Sequence, residues 1–187
     1  VIRCESETVT NPETVVVQSS KLKLHAQIWR PEGKGKFPGI LFNHGRGGTP
    51  HPEILAPLFV KRGYVFLAIA RRGEWLSADQ GENIDNLVRH EHAAKGADAG
   101  KQLQVKLMET DHLNDALAGL TYLKKLPYVD TNRIAVVGHS FGGSLTLLLC
   151  ERDHSIRAAV NFGGGAASWD DSSYLRQRLI SAVDHLN

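Results

Sequence analysis

The sequence predicts an α/β protein: a mainly parallel sheet with helices on both faces and an antiparallel hairpin at its N-terminus. Three observations predict it. Four short apolar runs, Gly39–Phe42, Tyr64–Ala70, Ile134–Val137 and Ala158–Phe162, lack polar alternation and read as strands buried on both sides. Segments of helical period lie between and after them. Each run also ends in a glycine-rich or charged loop: His44–Gly48, Arg71–Gly73, His139–Phe141 and Gly163–Gly165. In an open parallel sheet the loops at the carboxyl ends of the strands carry the functional groups, so these four are expected to converge on one edge.

Each element has its own signal. Thr14–Gln18 and Leu22–Trp29 alternate around Ser19-Ser20-Lys21, the pattern of a β-hairpin. Pro31 through Pro38, with Gly33 and Gly35, is a polar turn. Glu53–Arg62 is helical in pattern with Gly63 as its stop. Ala78–Gly100 is polar and poorly periodic, and reads as a loop or insertion with short helical turns. Leu103 to Leu126 is the longest helical pattern. Leu103, Leu107, Leu113, Leu117 and Leu120 keep three-to-four-residue spacing except for one longer gap, and Pro127 ends the run. "YVDTNR" reads as a turn, Phe141–Arg152 as a helix and Tyr174–Leu186 as a last amphipathic helix.

Composition narrows the function classes. The 187 residues fit one domain with a core of its own, over residues 1–187. A formal charge of +2 with scattered basic residues argues against a nucleic-acid partner. The longest apolar runs, Val65–Ala70 and Leu145–Cys150, are too short to span a membrane. Cys4 and Cys150 show no framework spacing; Cys150, in a leucine-rich run, reads as a buried thiol. The first residue is Val1, with no leader to read, so secreted, periplasmic and cytoplasmic locations all stay open.

The chemistry centres on "AVVGHSFGGSLTLLL", residues 135–149. A β-branched strand runs into Gly-His-Ser-Phe-Gly and then a helix. Gly138 and Gly142 flank Ser140 because a nucleophile on a sharp strand-to-helix turn leaves no room for neighbouring side chains. Ser140 is the expected nucleophile, and the backbone N–H of Phe141, at the helix N-terminus, faces a developing oxyanion. A second donor belongs in the loop after an earlier strand, and "NHGRGG" (Asn43–Gly48) fits, with the Arg46 N–H as donor. The Arg46 side chain is either a substrate-carboxylate ligand or a solvated surface arginine. His44 reads as a turn-packing histidine, because in this chain order the base follows the serine.

These residues resemble the α/β-hydrolase superfamily, and most of all dienelactone hydrolase and the related prolyl-oligopeptidase-like esterases. The resemblance rests on "GHSFGG" (Gly138–Gly143), "HGRGG" (His44–Gly48), "ARRGEWLS" (Ala70–Ser77) and the opening "WRPEGKGKFPGILFNHG". It implies an Asp after a later strand and a His after the last one. Two further strand–helix units need roughly 60 residues, so the chain reads as C-terminally truncated, with acid and base beyond Asn187. Asp170 and Asp171 stand where some α/β-hydrolases carry the acid, while His154 and His185 lie where the resemblance places no base.

Other groups are weaker candidates. His90-Glu91-His92 with Asp98 reads as a solvated loop rather than a metal site. Trp75 and Trp169, with His44, Gly45 and His139, are candidate pocket residues. Asp111-His112 reads as a capping or surface pair. No phosphate-binding loop is written, and neither metal nor organic cofactor is needed. Two functions follow. One is a hydrolase that cleaves small-molecule carboxylic esters or lactones through an acyl-enzyme on Ser140. The other is a non-catalytic binding module or inactive fragment of the same fold. In either case an exposed sheet edge favours pairing into a homo-oligomer.

Overall fold

The computed structural model describes residues 11–186, so Cys4 lies outside the described residues. Six strands form one sheet: β1 (Glu13–Ser19), β2 (Leu22–Trp29), β3 (Phe37–Asn43), β4 (Val65–Ile69), β5 (Val129–His139) and β6 (Ile156–Phe162). Their spatial order is β1-β2-β4-β3-β5-β6. The pairs β1–β2 and β2–β4 are antiparallel, while β4–β3, β3–β5 and β5–β6 are parallel. The hairpin closes through Ser20 at φ 51°, in the left-handed conformation that two-residue hairpin turns demand.

The six helices are α1 (Pro52–Val60), α2 (Ile84–Lys95), α3 (Ala97–Leu107), α4 (Leu113–Lys125), α5 (Phe141–Arg152) and α6 (Ser173–Asp184). Alternate residues of the central strands face opposite sides, as the two-residue period of a strand requires. Leu41, Leu67, Ile69 and Val136 pack with Leu113 and Leu120 of α4, Leu145 and Leu148 of α5, and Leu175 and Leu179 of α6. Ile40, Phe42, Phe66 and Ala68 face the other side, against α1. Each fully buried aliphatic side chain contributes roughly 1.5–3 kcal/mol.

Three expectations need correction. Ala78–Gly100 is mostly helix: α2 has twelve residues, and α3 begins at Ala97. Only Ile84 of α2 is buried, so the helix carries little apolar stripe to read. Asn83 caps it by accepting from the Asp85 N–H at 2.9 Å. Secondly, Val129–Arg133 belongs to β5 rather than a turn; Val129 pairs with Phe37, and the register slips between Pro38 and Gly39. Thirdly, Ala158–Phe162 is not buried. Among the described residues β6 is the outermost strand of the sheet, and its residues from Arg157 on are exposed. Val160 and Phe162 are 50% and 68% exposed. Ile180 and Val183 of α6 are exposed as well.

The longer gap in the leucine spacing has a structural counterpart. Between Leu107 and Leu113 the chain forms a π-helical turn, Met108–His112. The extra residue shifts the helical phase, so the stripe resumes in register at Leu113 and both Met108 and His112 turn inward.

No helix among the described residues is long and apolar enough to cross a membrane. Cys150 is half-buried and forms no disulfide among the described residues.

Candidate active site

Ser140 joins β5 to α5 at φ 52° and ψ −121°, a conformation that costs a non-glycine residue on the order of 1–3 kcal/mol. Its surroundings enforce it. The Ser140 N–H donates to the Phe162 carbonyl at 2.9 Å, and the Ser140 carbonyl accepts from Gly143 N–H at 2.8 Å to start the helix. A Cβ on Gly138 would lie 2.1 Å from the Gly142 carbonyl oxygen, and one on Gly142 would lie 2.0 Å from that of Asn43. Thr146 Oγ1 donates to the Gly142 carbonyl at 3.0 Å and steadies the first turn.

Ser140 opens on a cavity of about 140 Å³. Arg46 and Phe141 line it with Ser140, so the elbow and the glycine-rich loop share one cavity. Met108, Leu175, Gln104, Ser144 and Ser168 complete much of the wall, which is more polar than apolar. Phe141 is the first residue of α5, and its N–H has no intrahelical partner. Arg46 is exposed, and its Nε pairs with Asp85 Oδ1 at 2.8 Å.

Under the loop lies a buried charged cluster. The Arg71 guanidinium is wholly enclosed and pairs with Glu74 Oε2 at 2.7 Å. It also donates to the carbonyls of His44 at 2.8 Å and Gly45 at 3.1 Å. His44 Nδ1 lies 2.6 Å from the Gly45 carbonyl, and the Arg71 backbone N–H approaches its Nε2 at 3.5 Å. A neutral ring protonated on Nδ1 satisfies both contacts. Burial, and then the charge of Arg71, hold the His44 pKa well below its ordinary value. Burial pushes the Glu74 carboxyl up, opposed by Arg71.

His112, on the π turn, packs edge-on against the Phe141 ring with centroids 5.4 Å apart. It is buried, not a surface residue, and its pKa is held well below the ordinary value by burial and then by Arg71. Its neighbour Asp111 pairs with Arg72 at 3.0 Å. Arg72 also forks onto Asp115, with Nε to Oδ2 at 2.9 Å and Nη2 to Oδ1 at 2.7 Å. Ser19 donates to the same buried carboxylate at 2.7 Å, which ties the hairpin to α4.

The remaining candidates separate. Gly45 backs onto the elbow, where a Cβ would lie 3.2 Å from His139 Nδ1. His44, Trp75, His139 and Trp169 do not line the Ser140 cavity. The His44 ring is enclosed by Arg71 and Glu74, with Trp75 edge-on at 6.2 Å. The exposed His139 ring lies beside Phe162. Trp169 turns to the far side of its loop, into a groove with Leu179, Ile180 and Val183. His154, His185, Asp170 and Asp171 are exposed and stand outside the cavity. All nine histidines are described, and none lines the cavity or bonds Ser140 Oγ. His90 lies 3.8 Å from Glu82, and no group of three or more metal-ligating side chains converges among the described residues.

The sequence assigned no role to Arg71 or Glu74 and placed His112 in a capping or surface pair. The only signal was the double arginine of "ARRGEW", whose first member is buried and whose second is paired.

Comparison with known proteins places this geometry. The sequence profile of the dienelactone hydrolase family matches residues 24–182. The chain is 27% identical over 152 residues to the quorum-quenching protein AidA of Acinetobacter baumannii (strain MDR-ZJ06), covering 80% of this chain and 43% of that protein. It is 25% identical over 163 residues to the peroxisomal succinyl-coenzyme A thioesterase of Mus musculus, covering 87% of this chain and 32% of that one. Among solved structures, Pyrococcus horikoshii acylaminoacyl peptidase superposes with a TM-score of 0.59 at 23% identity, over 82% of this chain and 23% of the peptidase. The chain thus spans less than half the length of these relatives, and the shared fold is that of the α/β-hydrolases. An elbow serine lining a cavity, a glycine-rich loop that shares that cavity and a profile match across most of the sequence agree: the chain belongs to the dienelactone hydrolase family.

Proposed function

We propose that the protein is a serine hydrolase acting on carboxylic esters or lactones through an acyl-enzyme on Ser140. One observation carries the reading: Ser140, held at positive φ, shares its cavity with Arg46 and Phe141, the two residues whose backbone N–H groups are assigned to the oxyanion. Ser140 Oγ attacks the carbonyl carbon, its proton passes to a base, and the carbonyl oxygen takes the negative charge. The Phe141 and Arg46 N–H groups stabilise that charge, and each such donor is worth about 10²–10³ in rate. The alcohol leaves, and water attacks the acyl-enzyme. For a lactone the leaving alcohol stays tethered to the acyl group. A 140 Å³ space suits a small acyl group or ring, and Gln104, Ser144 and Ser168 supply hydrogen bonds for a polar substituent. The base and its orienting acid are assigned beyond the described residues, since none of the nine histidines serves Ser140.

A fluorophosphonate probe tests the reading. Labelling that vanishes in Ser140→Ala supports it, and absence of labelling in the longest product of the reading frame overturns it. A second reading draws on a different observation, the exposed apolar edge at Val160 and Phe162. There the sheet edge, pairing with a second copy, is the functional surface. An unlabelled Ser140 together with a concentration-dependent dimer in sedimentation selects it.

A further inference from the structure

We propose that Arg71 is the positioning residue of the oxyanion hole. By pinning the Gly45 carbonyl and lying over the Phe141 ring, its guanidinium holds both assigned N–H donors facing Ser140. The proposal rests on the serine-hydrolase reading and names what builds its anion site.

A peptide unit is planar and trans, so its C=O and N–H point in opposite directions. The Gly45 carbonyl and the Arg46 N–H belong to one such unit. Arg71 Nη2 donates to that carbonyl at 3.1 Å from inside the protein, and His44 Nδ1 contacts it at 2.6 Å. With the oxygen held inward, the Arg46 N–H must point outward, to the side where Arg46 lines the cavity with Ser140. The preceding carbonyl, of His44, is pinned by Arg71 Nη1 at 2.8 Å, so the loop cannot flip one peptide without breaking a buried charge-assisted bond. Lysine, a point charge, lacks the fork that reaches both carbonyls.

The same cation lies 5.2 Å from the Phe141 ring centroid. Phe141 is held on another side by His112. One guanidinium therefore contacts both donor residues, one through its backbone partner and one through its side chain.

Arg71 is itself held in a rigid segment. Glu74 Oε2 fixes the guanidinium. Trp75 adopts φ 46°, and Gly73 sits at φ 68° where a Cβ would lie 2.5 Å from the Glu82 carbonyl oxygen. Ser77 Oγ donates to the Ala70 carbonyl at 3.0 Å and accepts the His25 N–H at 2.9 Å. Asn83 Nδ2 donates to the Gly73 carbonyl at 3.0 Å. A segment so tied transmits its position to what it touches.

The test compares wild type, Arg71→Lys and the double variant Arg71→Met/Glu74→Leu in the full chain. The double change removes both buried charges together, so no unpaired carboxylate remains to unfold the protein. Two readouts are taken. The first is the amide signal of Arg46 in nitrogen–proton correlation spectra, which needs no activity. It is expected to broaden or split in the double variant, while Leu145 and Leu148 amides stay in place. The second is hydrolysis of p-nitrophenyl acetate. Loss of one aligned donor predicts a fall in kcat of about 10²-fold in the double variant and about tenfold in Arg71→Lys, with KM changed less than about twofold. An unchanged Arg46 amide overturns the proposal whatever the activity. A kcat within twofold of wild type in the folded double variant also overturns it. If the wild type shows no hydrolysis that Ser140→Ala abolishes, the serine-hydrolase reading fails, and the amide readout alone judges whether Arg71 holds the loop.

Discussion

β5 and β6 lie side by side, parallel, with apolar segments of similar composition, Ile134–Val137 and Ala158–Phe162. Their environments differ. β5 has a strand on each side, and Ile134 and Val136 are fully buried beneath α4 and α5. β6 has a neighbour on one side among the described residues, and its residues from Arg157 on are exposed. The Ser140 turn sits on the strand with two neighbours. There a strained serine can be over-determined, by Gly138 and Gly142 packed against backbone and by the Ser140 N–H bonded to Phe162. The edge still contributes, because that last bond reaches β6. The site thus needs a rigid centre and uses the edge as a single support.

The comparison can be broken first at the centre. Gly142→Ala sets a methyl 2.0 Å from the Asn43 carbonyl oxygen, where no flexible side chain can yield. Overpacking of this kind reaches or exceeds the upper end of the ~1–3 kcal/mol range. We expect little folded protein, checked by circular dichroism and urea melts; a stable, folded Gly142→Ala contradicts the packing described.

Leu148→Ala, on the buried face of α5, follows at ~2–5 kcal/mol from lost burial and the cavity left behind. It is read from the urea midpoint at constant m.

A pH series sharpens the electrostatic side of the contrast. His44 and His112 stay neutral in the folded protein because burial, and then Arg71, lower their pKa values. In the unfolded chain both take up protons below about pH 6.5. The unfolded state then binds more protons, so stability falls as pH drops below that value, by up to ~1.4 kcal/mol per pH unit per histidine, and is unaffected above it. His112→Phe removes one such group. Its loss of stability between pH 7 and pH 5.5 is expected to be about 1 kcal/mol smaller than that of wild type. Equal losses would show that His112 does not titrate this way.

The smallest effect belongs to the edge. Val183→Ser, on the exposed side of α6, is expected within about ±0.5 kcal/mol of wild type. A cost near that of Leu148→Ala would mean that this face is covered in solution.

Much of the site was legible. The glycines at 138 and 142, the serine between them and the loop at 44–48 are local patterns, because the clashes that demand them lie within the turn or one strand away. The longer gap in the leucine stripe marked the π turn without naming it. Helix α2 was not legible, since only Ile84 is buried and a polar helix resembles a polar loop in sequence. Candidate pocket residues were placed by sequence order near the strand ends, whereas the lining of the Ser140 cavity depends on side-chain direction, which sequence order does not give.

The sequence by itself determined the chain order of the strands and of the helices other than α2, and the strand-to-helix turn at Ser140. Those depend on periodicity, on glycine and on strand-end geometry, which short segments encode. Only the tertiary structure decided that β6 has one neighbouring strand among the described residues and is exposed from Arg157 on, because an apolar run reads the same whether or not a second strand covers it. Only it decided the role of Arg71, whose carbonyl partners lie 26 and 27 residues away in the chain. A buried cation is placed by what surrounds it in space, and no local pattern records which oxygens will be there.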